Sequence, residues 1–243
     1  MKAIETKNLT KRYQNITALD GLDLHVEQGE MLGLLGVNGA GKTTAIKLLS
    51  CLAAPSEGEA WLCGHSILDE AQAVKRVIGV SPQETAVAKK LSVRENLRFM
   101  AEIHGAGKQE VAQRVENTIN RMGLGKVAEQ RAATLSGGWQ RRLSIAMALI
   151  GEPQILFLDE PTLGLDVLAR HELWEQIRAL KGKTTVILTT HYLEEAEALC
   201  DRIAILAGGK LITTGMADEI KVLAGKEKFE DAFVALCAGG VKA

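Results

Sequence analysis

Apolar and polar side chains alternate in the first part of the chain, most clearly from Leu22 to Val26. A period of two predicts a half-buried antiparallel strand, because successive side chains of a strand point to opposite faces of the sheet. After a turn at Gln28–Gly29, the unbroken apolar run Met31–Leu35 predicts a strand that is buried on both faces. The spacing becomes helical from Gly41 onward, so the local order is strand, glycine-rich turn, helix.

Strands and helices continue to alternate further along the chain. Short apolar runs predict more strands at Glu59–Cys63, Val77–Val80, Ile155–Leu158 and Thr184–Leu188. A stripe of apolar residues at helical spacing, from Leu173 to Leu180, separates the last two. Because alternating strands and helices build parallel β-α-β units, we expect a mostly parallel sheet.

The segment from about 85 to 150 has the pattern of helices alone. Ser92 and Glu95 have the spacing of a capping box, in which each residue caps the backbone of the other at a helix start. Apolar residues then recur at helical intervals from Leu97 to His104 and from Val111 to Met122. We therefore predict an inserted helical subdomain.

The C-terminal part of the chain predicts a β-hairpin and a last helix. Two short apolar strands, Ile203–Leu206 and Leu211–Thr213, are separated by Gly208–Gly209. A final helical stripe from Phe229 to Cys237 predicts a helix packed on the body of the protein. The expected organisation is a two-part core, a helical insertion and a short tail: residues 1–84 with 151–220, about 85–150, and 221–243.

The composition narrows the function classes. The 243 residues include 29 basic and 30 acidic side chains, which gives a formal net charge of -1. At 47% hydrophobic residues the chain can bury a sizeable core, which excludes disordered, collagen-like and disulfide-scaffold proteins. The balanced charge gives no electrostatic reason to expect nucleic acid or an anionic membrane as a direct partner.

Cysteine usage and hydropathy predict the compartment. The four cysteines form no C-x-x-C pair, and the residues after Met1 lead into no apolar leader segment. We therefore expect reduced thiols and a cytoplasmic location. The longest uncharged stretches, such as Leu143–Gly151, are too short to cross a bilayer. Any role at a membrane is expected to depend on a partner chain.

Gly36–Thr43 fits the phosphate-loop pattern G-x-x-x-x-G-K-[ST] and lies between a predicted buried strand and a helix start. Glycines let the backbone bend so that successive N–H groups point at phosphate oxygens, and the helix N-terminus adds partial positive charge. We expect Lys42 to reach the β- and γ-phosphates and the Thr43 hydroxyl to bind Mg²⁺. The chain contains no N-K-x-D guanine-reading motif, which favours ATP over GTP.

Two acids, Asp159 and Glu160, close the apolar strand that follows the helical segment. We expect Asp159 to hold Mg²⁺ and Glu160, one residue further, to polarise an attacking water molecule. Two acids at a strand end are often only solvated. Together with a phosphate loop, however, they complete the chemistry of a nucleotide hydrolase.

The segment Leu135–Gln140 reads L-S-G-G-W-Q. With the phosphate loop, it resembles the signature of the ATP-binding subunits of ABC transporters, and the similarity extends over residues 1 to about 220. The resemblance implies an α/β fold: a P-loop NTPase (RecA-like) core with a mostly parallel sheet, an N-terminal antiparallel β subdomain and an inserted α-helical subdomain. Trp139 departs from the commonest signature residue, and we expect it to alter local packing without abolishing activity.

Further positions match the family one by one. Tyr13 matches the aromatic residue that stacks on adenine in this family. Gln83 matches the glutamine that contacts Mg²⁺ and the attacking water and senses the membrane partner. His191 matches the switch histidine that contacts the γ-phosphate, and Thr162–Asp166 resembles the loop that runs along the dimer interface.

The resemblance and the phosphate chemistry together give three groups of candidate site residues. The nucleotide-binding group is Tyr13, Gly36, Val37, Asn38, Gly39, Ala40, Gly41, Lys42, Thr43, Thr44, Gln83, Ser136, Gly137, Gly138 and His191. The metal-binding group is Thr43, Gln83 and Asp159. The catalytic group is Lys42, Gln83, Glu160 and His191.

The signature segment also predicts assembly. Ser136 can cap a helix start while Gly137 and Gly138 leave its N–H groups uncovered, which makes a second anion-binding terminus. In the family, this terminus faces the γ-phosphate held by the other subunit. The resemblance therefore implies ATP and Mg²⁺ as cofactors, a homodimer or heterodimer of ATP-binding subunits, and a separate transmembrane permease that holds the subunit at the cytoplasmic face of the membrane. No nucleic-acid partner is expected.

The sequence leaves open the direction of transport and two alternative functions. Pro161–Val167 and the tail Phe229–Leu236 look most like export-type subunits for drugs or sodium. One alternative is a soluble ABC-type ATPase that acts on nucleic acid or ribosomes, although the insertion is too short for a long coiled coil and only one cassette is present. The other is a nucleotide-regulated binding module without turnover, which the presence of Gln83, Glu160 and His191 disfavours.

Overall fold

The computed structural model describes residues 1–239. Its strands are β1 Lys2–Tyr13, β2 Ile16–Glu27, β3 Met31–Gly36, β4 Glu57–Leu62, β5 His65–Ser66, β6 Ile78–Ser81, β7 Ile155–Asp159, β8 Thr185–Thr190, β9 Arg202–Ala207 and β10 Lys210–Gly215. Its helices are α1 Lys42–Leu49, α2 Ala71–Val77, α3 Val93–Ile103, α4 Lys108–Arg121, α5 Gly137–Leu149, α6 Val167–Arg178, α7 Leu193–Leu199, α8 Ala217–Ala224 and α9 Phe229–Gly239. Short 3₁₀ turns at Gly125–Val127 and Ala132–Thr134 precede α5.

The strands of the described residues form two sheets. One is antiparallel, with the order β2-β1-β4-β5. The other has the order β10-β9-β3-β8-β7-β6 and is parallel except for the β10–β9 hairpin. This arrangement confirms the predicted fold class, including the N-terminal antiparallel sheet and the mostly parallel core.

The parallel sheet is covered on both faces, which explains its unbroken apolar strands. On β7, Phe157 faces a cluster that also contains Leu48 of α1 and Leu22 of the antiparallel sheet. Leu156 and Leu158 face the opposite cluster, which is built by the helices α3 to α6. The sheet is therefore the middle layer, between α1 with the antiparallel sheet and the helical layer.

The helical layer follows the sequence pattern closely. Ser92 Oγ accepts a hydrogen bond from the Glu95 amide at 3.1 Å, and Glu95 Oε2 accepts one from the Ser92 amide at 2.7 Å. These reciprocal bonds are the capping box that the spacing predicted. In α5, every residue from Arg141 to Leu149 is buried, because this helix packs on the parallel sheet and is covered by its neighbours.

Two helices, α2 and α6, differ from what the hydrophobic pattern predicted. In α2, only Val74 is buried, so seven residues show no apolar stripe, and Val77 ends this helix instead of starting the next strand. The helix α6 ends at Arg178, two residues before Leu180, which was expected to lie within it. Both differences reflect contacts between elements, which periodicity within one element does not record.

The C-terminal helices pack on the parallel sheet. Phe229 and Ala232 of α9 are buried in a cluster with Leu35 of β3 and Ile205 of β9. The helix α8 spans Ala217–Ala224, so the expected boundary at residue 221 falls inside it. The division into core, insertion and tail stays a prediction, and residues 240–243 of the tail lie outside the described residues.

Candidate active site

The phosphate loop connects β3 to α1 at the edge where the parallel strands end. Gly39 and Gly41 have φ values of 81° and 103°, in the region that side chains disfavour. A Cβ atom on Gly41 would lie 2.5 Å from the Ala18 carbonyl oxygen, and one on Gly36 would lie 2.5 Å from the Leu206 carbonyl oxygen. At these positions, only glycine permits the loop to fold back over the start of α1.

Lys42 is the first residue of α1 and is only 7% exposed. Its ammonium group donates hydrogen bonds to the carbonyl oxygens of Gly36, at 2.6 Å, and Val37, at 3.3 Å. Burial lowers the pKa of this ammonium, and the nearby carboxylates of Glu160 and Asp159 oppose the effect. The structure therefore holds a buried positive charge directly beneath the loop.

Asp159 ends β7 and lies beside Thr189 on the neighbouring strand β8. The Thr189 hydroxyl donates a hydrogen bond to Asp159 Oδ1 at 2.5 Å and accepts one from the Glu160 amide at 3.1 Å. Glu160 has φ 47°, which is a strained conformation for a residue with a side chain. The two contacts from Thr189 fix the main chain at this strained turn and orient both acids.

Glu160 and His191 contact each other across the ends of β7 and β8. The distance between Glu160 Oε2 and His191 Nδ1 is 2.8 Å. A hydrogen bond of this kind fixes the direction of the carboxylate and the tautomer of the imidazole. The pair therefore has the geometry of a general base held by a second titratable group.

Lys42, Glu160 and His191 line one cavity of about 1020 Å³. This volume is just above the range typical of ligand sites, roughly 300–1,000 Å³. The structure brings together at its walls most of the residues that the sequence predicted: Tyr13, Val37, Asn38, Gly39, Ala40, Gly41, Lys42, Thr43, Thr44, Gln83, Glu160 and His191. Tyr13, which is 44% exposed, lies at the outer wall with Ile16.

The signature residues are not part of this cavity. Within the described residues 1–239, its lining does not include Ser136, Gly137 or Gly138. Ser136 occupies the N-cap position of α5, but its side chain makes no capping hydrogen bond, and both Ser136 and Gly137 are exposed. The chain therefore does not bring its two predicted anion-binding termini to one place.

The donor atoms near the cavity are of the kind that Mg²⁺ prefers. Thr43 and Gln83 offer a hydroxyl and an amide oxygen at the wall, and Asp159, which is 6% exposed, directly precedes the wall residue Glu160 in the chain. Among residues 1–239, no three acidic, histidine or cysteine side chains form a metal cluster. Because Mg²⁺ sites commonly combine one or two protein oxygens with substrate phosphates, this donor set fits a metal held together with nucleotide.

Sequence reasoning missed several residues of the site. Thr17 and Ala18 line the cavity without belonging to any predicted motif, and Leu163, which was predicted only as part of a dimer-interface loop, lines it too. Thr189 supports both acids from a neighbouring strand, and only the strand register shows this. A threonine two residues before the predicted switch histidine was the one available signal, and it is too common to be diagnostic.

Comparison with known proteins identifies the family. The family model for the ABC transporter matches residues 19–163. The daunorubicin resistance ATP-binding protein DrrA3 of Streptomyces coeruleorubidus is 43% identical over 229 residues, which cover 94% of this chain and 72% of that protein. The chain belongs to the ABC transporter family of ATP-binding proteins.

Other relatives and solved structures support the same family assignment. The Nod factor export ATP-binding protein I of Burkholderia thailandensis is 42% identical over 214 residues, 87% of this chain and 70% of that protein. A solved ATP-binding subunit of an ABC transporter superimposes with a TM-score of 0.85 at 31% identity and covers 96% of this chain and 99% of its own. A dimeric post-hydrolysis state of the ATP-binding cassette MJ0796 with ADP and phosphate gives 0.79 at 28% identity, covering 88% and 98%.

The predicted family, fold class and enzyme class are thereby confirmed. This chain is an ATP-binding subunit of the ABC transporter family with ATPase activity, and such subunits work in transporter complexes as dimers. The match to transport proteins disfavours the alternative of a soluble ATPase on nucleic acid or ribosomes. Among the described residues, no helix is long and apolar enough to cross a membrane.

Proposed function

We propose that this ABC ATP-binding subunit energises export through a separate transmembrane permease. Two relatives that align with about nine tenths of the chain are named for drug resistance and for Nod factor export. The transport path would belong to that permease, which would hold this subunit at the cytoplasmic face of the membrane. The same permease would bring two ATP-binding subunits together, either two copies of this chain or this chain and a relative.

The cavity supports a specific assignment of roles to its residues. Tyr13 would stack on adenine at the outer wall, and the amides from Val37 to Thr44 would hold the phosphates. Lys42 would exchange its bonds to loop carbonyls for bonds to the β- and γ-phosphates. Thr43, Gln83 and Asp159 would hold Mg²⁺, which would neutralise developing charge on the phosphates.

The contact between Glu160 and His191 supports the hydrolytic step. The Glu160 carboxylate would accept a proton from the water molecule that attacks the γ-phosphate. His191 contacts that carboxylate at 2.8 Å through Nδ1. Its other ring nitrogen would face the γ-phosphate. Gln83, which lines the same cavity, would orient the water and report the state of the site to the permease.

The exposed start of α5 supports a site shared between two subunits. Ser136 and Gly137 are exposed and lie outside the cavity of their own chain. In a head-to-tail dimer, the N–H groups at this terminus would bind the γ-phosphate held by the partner. The separation of Ser136 and Gly137 from the cavity of their own chain is the observation that supports a site shared between two subunits.

A mixing experiment tests the shared site. Lys42→Ala should abolish phosphate binding in its own cavity, whereas Ser136→Arg should block the terminus offered to the partner. Each variant alone should be inactive, but a heterodimer of the two contains one intact site. With random pairing at equal amounts, phosphate release should recover to about a quarter of the wild-type rate. The readout is steady-state phosphate release by the purified subunits with their permease.

Two controls define the result of the mixing experiment. Mixing Lys42→Ala protein with more of itself should give no recovery, and an exposed substitution such as Lys126→Ala should leave the rate unchanged in either background. Absence of recovery at every ratio, with heterodimers shown to form, would contradict the shared site.

A transport assay tests the proposed direction. If the subunit energises export, added ATP should drive substrate into inside-out membrane vesicles. ATP-driven movement of substrate out of these vesicles would contradict export.

A further inference from the structure

Arg141 lies in the first turns of α5 and is only 4% exposed, although it carries a guanidinium group. Each of its nitrogen atoms donates to a backbone carbonyl oxygen. Nε donates to Pro161 at 2.8 Å, and Nη2 donates to Asp159 at 2.5 Å. Nη1 donates to Gln83 at 3.2 Å and also contacts the Pro82 carbonyl. None of these partners is a carboxylate.

The four carbonyl groups belong to two turns at the edge of the sheet. Pro82 and Gln83 follow β6, and Asp159 and Pro161 flank Glu160 at the end of β7. The parallel pairing of these two strands ends at Ser81 and Leu158. Beyond that point no ladder hydrogen bond joins the turns, and the guanidinium group of Arg141 provides the connection.

This arrangement suits arginine and no other side chain. A guanidinium group is planar, carries five N–H donors in a fixed fork and stays charged, whereas lysine offers one flexible ammonium group. Burial lowers the pKa of Arg141 to about 10, while Asp159, Glu195 and Glu160 oppose the shift, so the group is charged at neutral pH. A buried charge is unfavourable unless its hydrogen bonds are satisfied, and here every nitrogen has an acceptor.

The neighbouring Arg142 makes different contacts. Its Nη2 is 2.8 Å from Glu172 Oε2, and its guanidinium group lies 4.6 Å from the centre of the Trp139 ring. These contacts lie within the helical layer and do not reach the turns of the sheet edge. The two adjacent arginines therefore form a natural pair for comparison, one at the site and one beside it.

We propose that Arg141 is a positioning residue of the ATPase site. It holds the turn of Gln83 and the turn of Glu160 at the separation that lets both side chains face the same phosphate group. Because α5 starts with the signature segment, the same guanidinium group attaches that segment to both turns. This inference rests on the roles proposed above for Gln83 and Glu160.

The test compares Arg141→Lys and Arg141→Ala with the matched control Arg142→Lys. The hydrogen bonds of Arg141 go to these two turns and not to the phosphate loop, so the dissociation constant for ATP should stay within about threefold. In contrast, kcat should fall by about 10- to 100-fold because the two turns lose their alignment. Arg142→Lys should keep kcat within about threefold. The readouts are equilibrium ATP binding and steady-state phosphate release by the subunit with its permease.

Chemical rescue separates positioning from general damage. Arg141→Ala leaves a cavity with four unpaired carbonyl oxygens, which low millimolar guanidinium or methylguanidinium can occupy. We expect either cation to restore at least part of kcat in Arg141→Ala and to leave Arg141→Lys and Arg142→Lys unchanged. If Arg141→Ala does not fold, Arg141→Lys provides the test because it retains the charge. A fall in kcat at unchanged ATP affinity in Arg141→Lys would still support the positioning role.

Three results would overturn the inference. They are a wild-type kcat in Arg141→Lys, a loss of ATP affinity in proportion to kcat, and an equal loss of kcat in Arg142→Lys. Glu160→Gln, measured in parallel, separates this inference from the proposed function. If Glu160→Gln keeps full turnover, the proposed role of Glu160 fails and the inference fails with it. If Glu160→Gln loses turnover while Arg141→Lys does not, only the inference fails.

Discussion

The phosphate-loop edge of the sheet and the start of α5 differ in whether their polar groups find partners within the chain. At the edge, the charged groups have partners: Lys42 donates to the Gly36 carbonyl, Asp159 accepts from Thr189, and Glu160 contacts His191. At the start of α5, Ser136 is exposed and caps nothing. The first region is preorganised by its own fold, whereas the second presents a helix terminus that suits a group from outside the chain. This asymmetry is what a site divided between two subunits requires.

The largest expected effect comes from removing the charge of the proposed base. Glu160→Gln keeps the shape of the side chain but cannot accept a proton, so turnover should fall by at least ~10²-fold. ATP binding should persist, because the phosphate loop and Lys42 are unchanged, and an ATP-bound dimer should accumulate. Phosphate release and size-exclusion chromatography with ATP provide the measurements. Turnover near the wild-type rate would show that the base is another group.

A matched pair of glycines compares the two regions directly. A Cβ atom on Gly41 meets the Ala18 carbonyl oxygen at 2.5 Å and φ there is 103°, whereas a Cβ atom on Gly137 has nothing within 4 Å. Gly41→Ala should therefore lower the free energy of unfolding by about 1–3 kcal/mol, and Gly137→Ala should change it by less than about 1 kcal/mol.

Urea denaturation measures both changes in the glycine pair. Gly137→Ala should nevertheless reduce phosphate release, because its methyl group lies on the terminus offered to the partner subunit. Full turnover in Gly137→Ala would contradict the proposed role of the α5 terminus in the partner's site. Equal destabilisation by the two substitutions would contradict the expectation that only Gly41 is required by the fold.

The smallest expected effect concerns Glu195, which is fully buried in α7, four residues after His191. Burial raises the pKa of its carboxyl group above the ordinary 4.5, although the hydrogen bond from Trp174 Nε1 opposes this. The folded state therefore binds this proton more tightly than the unfolded state does. As pH rises from 4.5 through the raised value, this group should lower the free energy of unfolding.

Glu195→Gln tests that dependence, since its amide oxygen can still accept from Trp174 but does not titrate. Relative to wild type, the variant should gain stability as pH rises through this window, which urea denaturation at several pH values would measure. A difference between the two proteins that stays constant with pH would contradict the prediction. Turnover at neutral pH should change less than in Glu160→Gln, because Glu195 does not line the nucleotide cavity.

Much of the fold could be predicted because its signals are local. The alternation around Leu24 and the unbroken run of β3 both reflect how a single strand is buried, and the capping box of Ser92 needs only four consecutive residues. The helices α2 and α7 could not be predicted in this way. Each has seven residues, and its position depends on which neighbouring strand it must connect.

The candidate site likewise contains some features that local sequence signals predict and others that depend on the tertiary structure. The sequence by itself determined the phosphate loop, because a buried strand, a glycine turn and a lysine at a helix start create their chemistry within one short segment. It also marked Glu160 and His191, although only the tertiary structure placed them 2.8 Å apart. The pairing of strands β7 and β8 is what brings these distant positions together.

Only the tertiary structure decided which groups Arg141 contacts. Its acceptors are carbonyl groups 18 to 59 positions away along the chain. Every residue carries such a carbonyl group, so no pattern in the amino-acid sequence marks the ones that a buried guanidinium group will meet. Motifs record the side chains that perform chemistry, whereas the hydrogen bonds that align them depend on the packing of a helix against the ends of two strands.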